Sequence, residues 1–220
     1  MATSYKNIGV VYNRQGQYQR ALEYYQKGLE INIKVSGQDH PEVASSFINI
    51  GNVYGRKGDH ENALVQFQKA LEIQTRVFRS DHPHVATSFN NIGTVYAGKG
   101  NHENALVQFQ KALEIQTRVF GSDHPHVAKS YNNIGLVYNR QGKYEEALEY
   151  YQKGLDITVR LVGQDHPDVA ISIKNIGNVY HNKGDRAAAT EMWTKAYHIF
   201  LKVLGPHHPE TQGLKPFVNE

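Results

Sequence analysis

From Pro41 to Lys57 the apolar residues Phe47, Ile50 and Tyr54 fall at i, i+3 and i+7, which is one stripe of an α-helix. Gly58-Asp59 then supplies a turn. A second stripe follows through Ala63, Leu64, Phe67, Ala70, Leu71, Gln74 and Val77. The segment 41–82 is therefore predicted to be a helical hairpin. Pro41 supports the first boundary, because a first-turn residue needs no N–H partner inside the helix.

The hairpin pattern recurs. Asp-His-Pro stands at 39–41, 81–83, 123–125 and 165–167, with His-His-Pro at 207–209, a spacing of 42 residues. Asn-Ile-Gly recurs on the same period at 7–9, 49–51, 91–93, 133–135 and 175–177, each followed by Val-Tyr. Such a period predicts a stacked array in which each unit buries its apolar face against its neighbours. The whole of 1–220 is expected to be one array, with units of about 1–40, 41–82, 83–124, 125–166 and 167–208 and a partial unit or tail over 209–220. Segments 57–98 and 99–140 differ at seven of 42 positions, the mark of internal duplication or idealisation.

The ends depart from the pattern. Ala2-Thr3-Ser4 aligns with Ala44-Ser45-Ser46, so the chain opens in mid-repeat, and residues of a fuller array are expected upstream. Near the other end Lys215 replaces the aromatic and Pro216 interrupts the next helix. Ala189, Trp193 and Tyr197 are then left partly uncovered unless the tail folds over them.

Gly9, Gly51, Gly93, Gly135 and Gly177 share one register inside the first helix. A mid-helix glycine costs about 1 kcal/mol relative to alanine, so its recurrence predicts a close helix approach. The small residues Gly28, Ala70, Ala112, Gly154 and Ala196 of the second helix are the expected facing contact.

The pattern Tyr5-x-x-Ile8-Gly9-x-x-Tyr12 followed by Ala21-x-x-x-Tyr25 resembles the tetratricopeptide repeat. Two departures refine the likeness. The usual period is about 34 residues, and the proline that usually closes the second helix is replaced by Ile33, Thr75, Thr117, Val159 and Leu201. The second helix is thus expected to run on by about two turns. With its Asp-His-Pro connectors and Asn-Asn-Ile-Gly segments, the variant is similar to the repeats of kinesin light chains. The resemblance implies an all-α protein, a right-handed α-α superhelix (solenoid) of helix-turn-helix repeats, whose first helices line a concave surface that receives extended or helical peptides.

On a helical wheel Tyr5, Ile8, Gly9 and Tyr12 cluster on one side and Thr3, Asn7, Val10 and Arg14 on the other. That second stripe is expected to face the groove. Its candidate peptide-binding residues are Asn7, Arg14, Asn49, Asn52, Arg56, Asn91, Lys129, Asn133, Arg140, Asn175 and Asn178. Asparagine carries both donor and acceptor on a short stem and can pair with any peptide backbone, and arginine grips carboxylates. The competing reading makes the asparagines local caps or bridges between units.

Charge sharpens the picture. The first helices hold Lys6, Arg14, Arg56, Lys57, Lys99, Lys129, Arg140, Lys174 and Lys183 against Glu42 and Asp168. A groove of one sign attracts acidic partners, so the expected partner is a protein or peptide segment, acidic in character. The rival is a structural or self-assembling array that associates through its ends without a specific peptide ligand. A net charge of +3 is too small for a nucleic-acid footprint, and Tyr24, Tyr25, Tyr150 and Tyr151 read as core rather than base-stacking platforms.

No apolar run approaches the roughly 18 residues of a bilayer span, and the opening residues lack the form of a signal segment. With no cysteine, the composition suits a reducing compartment, and a cytoplasmic protein is expected. Neither membrane nor nucleic acid is expected as a partner. The His-x-His pairs His82/His84 and His124/His126 have metal-ligand chemistry, but the Asp-His-Pro segments that contain them repeat along the chain and read instead as a polar connector in which Asp or His caps the next helix. No cofactor is implied and no catalysis is expected, since a catalytic site needs one enclosed constellation and these residues repeat.

Overall fold

The computed structural model describes residues 1–218. Its helices run in the order α1 (Ala2–Arg14), α2 (Tyr18–Ser36), α3 (Pro41–Lys57), α4 (His60–Phe78), α5 (Pro83–Gly98), α6 (His102–Phe120), α7 (Pro125–Arg140), α8 (Tyr144–Val162), α9 (Pro167–Lys183), α10 (Arg186–Leu204) and α11 (Pro209–Leu214), followed by a 3-10 turn over Lys215–Phe217. The chain is all-α, and its helices follow one another as hairpins. By packing it divides into two compact units, Met1–Ile115 and Gln116–Glu220.

The connectors explain where the helices start. His40, His82, His124, His166 and His208 each precede the N1 proline and accept, through Nδ1, the N–H of the second helical residue. These bonds measure 3.2–3.3 Å, so histidine does what a Ser or Asp side chain ordinarily does at this position. The aspartate of the connector has other work. Asp39 pairs with Arg76 within the first unit at 2.5 Å, and within the second Asp123 pairs with Arg160 and Asp165 with Lys202, both at 2.5 Å. The second helices are 19 residues long, the extension expected from the missing proline.

In the first unit Ala21, Tyr25, Leu29, Val43, Ala44, Ile50 and Val53 form one core cluster, and Ala63, Leu64, Phe67, Ile92 and Val95 another. In the second, Ala147 and Tyr151 of α8 pack with Ile176 and Val179 of α9. Tyr25 and Tyr151 are buried, while Tyr24 and Tyr150 stack on Tyr12 and Tyr138 at 5.4 Å, so all four serve packing.

The first-helix glycines do sit at a close approach, but the small second-helix residues are not what faces them. A Cβ at Gly9, Gly51 or Gly177 would stand 2.7 Å from the ring of Tyr25, Phe67 or Trp193 respectively. In an antiparallel hairpin a residue three positions further along the second helix lies opposite one three positions earlier in the first. Gly28 therefore meets the backbone of Ala2 and Lys6, and Gly154 meets Asn132 Oδ1 and the Ala128 carbonyl.

The tail closes the end of the second unit. Leu214 is buried in a cluster with Ala170, Ala189, Trp193 and Phe200, and after Pro216 the Phe217 ring turns onto Trp193 with centroids 5.1 Å apart. Ala189 and Trp193 are consequently buried and Tyr197 half-buried.

Candidate functional site

In the first unit the stripe is carried by α1, α3 and α5. Asn7 and Arg14 are exposed on α1, Asn49 is half-buried, and Asn52 and Arg56 are exposed on α3. The structure brings Asn52 and Arg56 together with the half-buried Asn91 of α5 in one cleft of about 360 Å³. Thr94 and Gly98 of α5 complete its rim, and His60 and Phe67 of α4 form its back. Arg56 is anchored there, since its Nη1 donates to the Asn13 carbonyl at 3.2 Å, near the C-terminal end of α1. That end carries the negative pole of the helix dipole, which favours a cation. Burial raises the pKa of the Tyr25 hydroxyl, and the Arg56 charge opposes that rise.

In the second unit Lys129 and Arg140 are exposed on α7, Asn133 and Asn175 are half-buried, and Asn178 is exposed on α9. Asn178 has a packing partner, because its Oδ1 accepts the Trp193 indole N–H at 3.1 Å. Asn182 bridges neighbouring first helices, donating through Nδ2 to Asn139 Oδ1 at 3.2 Å. Asn178 and Asn182 thus follow the reading in which the asparagines hold local contacts or bridge neighbouring units. Burial pushes the Tyr151 hydroxyl pKa well up, again against the charge of an arginine, Arg140.

The basic excess of the first helices is partly neutralised. Lys99 pairs with Glu61 in the first unit. In the second, Lys174 pairs with Glu210 at 2.5 Å and Lys183 with Glu145 at 2.8 Å. These partners lie 36 to 38 residues away in sequence for the lysine–glutamate bonds of Lys174 and Lys99, a separation at which sequence offers no pairing signal. His60 was also outside the sequence reading. It departs from the tyrosine at Tyr18 and Tyr144 in the same register, the one signal that marked it.

These repeats define a class, and the family model for the tetratricopeptide repeat matches residues 1–76, 48–116, 84–158 and 127–202. The chain belongs to the tetratricopeptide-repeat family. Among solved structures it is similar to BtubC (BKLC) from P. vanneervenii, with 25% identity and a TM-score of 0.78 over 91% of this chain and 80% of that one. It is also similar to a putative kinesin light chain with nearly identical TPR-like repeats from Podosopora anserina, at 24% identity and a TM-score of 0.75 over 91% and 95% of the two chains. Aspartyl phosphate phosphatase F from Bacillus subtilis shares the fold at 19% identity and a TM-score of 0.77, over 97% of this chain and 58% of that one. No curated protein matches it in sequence. Among the described residues no helix is long and apolar enough to cross a membrane, and no group of three or more His, Cys, Asp or Glu side chains is placed to hold a metal ion.

Proposed function

We propose that the chain is a non-catalytic protein-interaction scaffold that holds an extended, acidic peptide segment on its first helices. The observation that carries this reading is the convergence of Asn52, Arg56 and Asn91 in the 360 Å³ cleft of the first unit. Two amides supply donors and acceptors for peptide backbone, and the guanidinium, held at the end of α1, supplies a charge for a carboxylate. Membership of a repeat family built for protein recognition supports the same reading. Selection from a random 12-residue peptide library, followed by anisotropy titration at two salt concentrations, tests it. Enrichment of acidic segments whose affinity falls with salt is expected; absence of any enriched segment overturns it.

A second reading is a self-assembling array without a specific peptide ligand. It is favoured by the first hairpin, where Ile8 and Val11 are 39% and 53% exposed although their counterparts Ile50 and Val53 are 5% and 0%. Light scattering over a hundredfold dilution distinguishes the two, since a mass that grows with concentration without peptide capture belongs to the assembly.

A further inference from the structure

Phe47 of α3 shows what its register is built to hold. It packs against the cluster that contains Leu29 of α2, Val43 of its own helix and Ile73 of α4, as Ile33 does, and the Lys69 ammonium lies over its ring at 5.5 Å. Phe89 repeats the arrangement one period later among Leu71, Val85 and Ile115, with Lys111 over its ring at 5.5 Å. Tyr5 and Tyr131 hold the same register in the first and fourth hairpins.

The fifth hairpin keeps the surroundings and loses the ring. Leu155, Val159, Val169, Ile199 and Lys195 stand where Leu29, Ile33, Val43, Ile73 and Lys69 stand around Phe47, but the aromatic position is Ile173. A cleft of about 460 Å³ opens among these residues, between α8, α9 and α10 of the second unit, within the range of small-ligand pockets, roughly 300–1,000 Å³. It is separate from the asparagine stripe. Ile173 and Asn175 lie two positions apart on α9 and so point to roughly opposite sides, at about 100° per residue.

The rim changes as well. Glu30, Glu72, Glu114 and Asp156 share one register of the second helices, and only in α10 is the acid replaced, by His198 at the edge of this cleft. The acids that remain nearby are engaged, Asp165 with Lys202 at 2.5 Å and Glu191 with Lys195 at 2.6 Å. The second pair leaves Lys195 able to cover a ring. One period earlier Lys153 pairs with Glu149 at 2.6 Å and still lies 5.2 Å over the ring of Tyr150. An imidazole donates an N–H in either protonation state, so His198 offers a carboxylate a donor where the other repeats offer it a like charge.

We propose that this cleft binds a small aromatic carboxylate, a ligand of a different class from the peptide segment held on the first helices. Its ring takes the place that Phe47 and Phe89 fill in their own hairpins, under the Lys195 ammonium, and its carboxylate accepts the His198 N–H. Losing the ring makes the space, and losing the acid makes that space tolerant of an anion.

The probe is phenylacetate, titrated into the whole chain while the methyl resonances of Leu155, Val159 and Ile199 are followed by NMR. Two controls of matched size separate its parts, cyclohexylacetate for the aromatic ring and phenylacetamide for the charge. Saturable shifts are expected with phenylacetate, with binding about tenfold weaker for the amide and several-fold weaker for the saturated ring. Ile173→Phe, which restores the ring of the earlier hairpins, is expected to abolish the shifts with helicity unchanged. His198→Glu, on the exposed rim, is expected to weaken phenylacetate about tenfold and to leave phenylacetamide as it was. Unmoved methyls, parent-like binding by a folded Ile173→Phe, or equal affinities for the acid and both controls overturn the site. Parent-like binding of phenylacetate by His198→Glu overturns it too, and that exposed substitution serves as the test should Ile173→Phe not fold.

Discussion

Gly93 of α5 lies flat against the ring of Phe109 in α6, so that a Cβ at Gly93 would stand 2.8 Å from the ring edge. Real Cβ atoms do not approach carbon so closely, and Phe109 is 2% exposed with nowhere to retreat. Gly93→Leu is therefore expected to cost about 1–3 kcal/mol by overpacking, read as a fall in thermal midpoint by circular dichroism. An unchanged midpoint would show that the ring moves freely.

Arg79 is the reverse case. It caps α4 at φ 72° and ψ 167°, where the corresponding caps of α2, α8 and α10 are Gly37, Gly163 and Gly205. That region is essentially reserved for glycine, and a side chain there costs about 1–3 kcal/mol. Arg79→Gly is expected to stabilise the protein by about 1 kcal/mol, the low end of that range because glycine also frees the unfolded chain. Chemical denaturation with a shared slope measures it, and a lower midpoint for the variant would refute the strain.

The His82 cap makes stability depend on pH. His82 Nδ1 can accept the His84 N–H only while unprotonated, and burial, followed by the neighbouring His84, lowers its pKa from 6.5 against the opposing pull of Asp81. A lowered folded-state pKa means that the unfolded chain binds the proton first. The contribution is then complete above about 6.5 and lost as pH falls through the folded value. The thermal midpoint is expected to drop between about pH 7.5 and pH 5.5, within the histidine range. His82→Ala is expected to cost about 1 kcal/mol at neutral pH, the worth of one cap, and to flatten that drop. A variant as pH-sensitive as the parent would place the titration elsewhere.

Binding should separate the amides from the guanidinium. Asn91→Ala is expected to weaken every captured peptide by about 0.5–1.5 kcal/mol, one hydrogen bond's net contribution, with little dependence on salt. Arg56→Gln is expected to slow association and to reduce the salt dependence for acidic peptides alone. Stopped-flow anisotropy with helicity measured in parallel decides it, and equal affinities for parent and Asn91→Ala would make that asparagine structural.

What the sequence determined by itself was the set of features that depend on near neighbours. Pro41, the turn at Gly58-Asp59 and the stripe through Phe47, Ile50 and Tyr54 are signals within a few residues of the structure they set, and α3 begins at Pro41 and ends at Lys57 as they require. The period of 42 residues carried that one hairpin along the chain. Tertiary structure decided whatever depends on the reach of a side chain between helices. The ring of Phe67, not the small Ala70, fills the space at Gly51, because the antiparallel register of two helices sets which residues stand opposite. Lys99 meets Glu61 across 38 residues. Gln74 of α4 accepts the Ser88 hydroxyl of α5 at 2.6 Å, whereas Thr158, one amide group shorter, turns its hydroxyl back to the Gly154 carbonyl of its own helix at 2.8 Å.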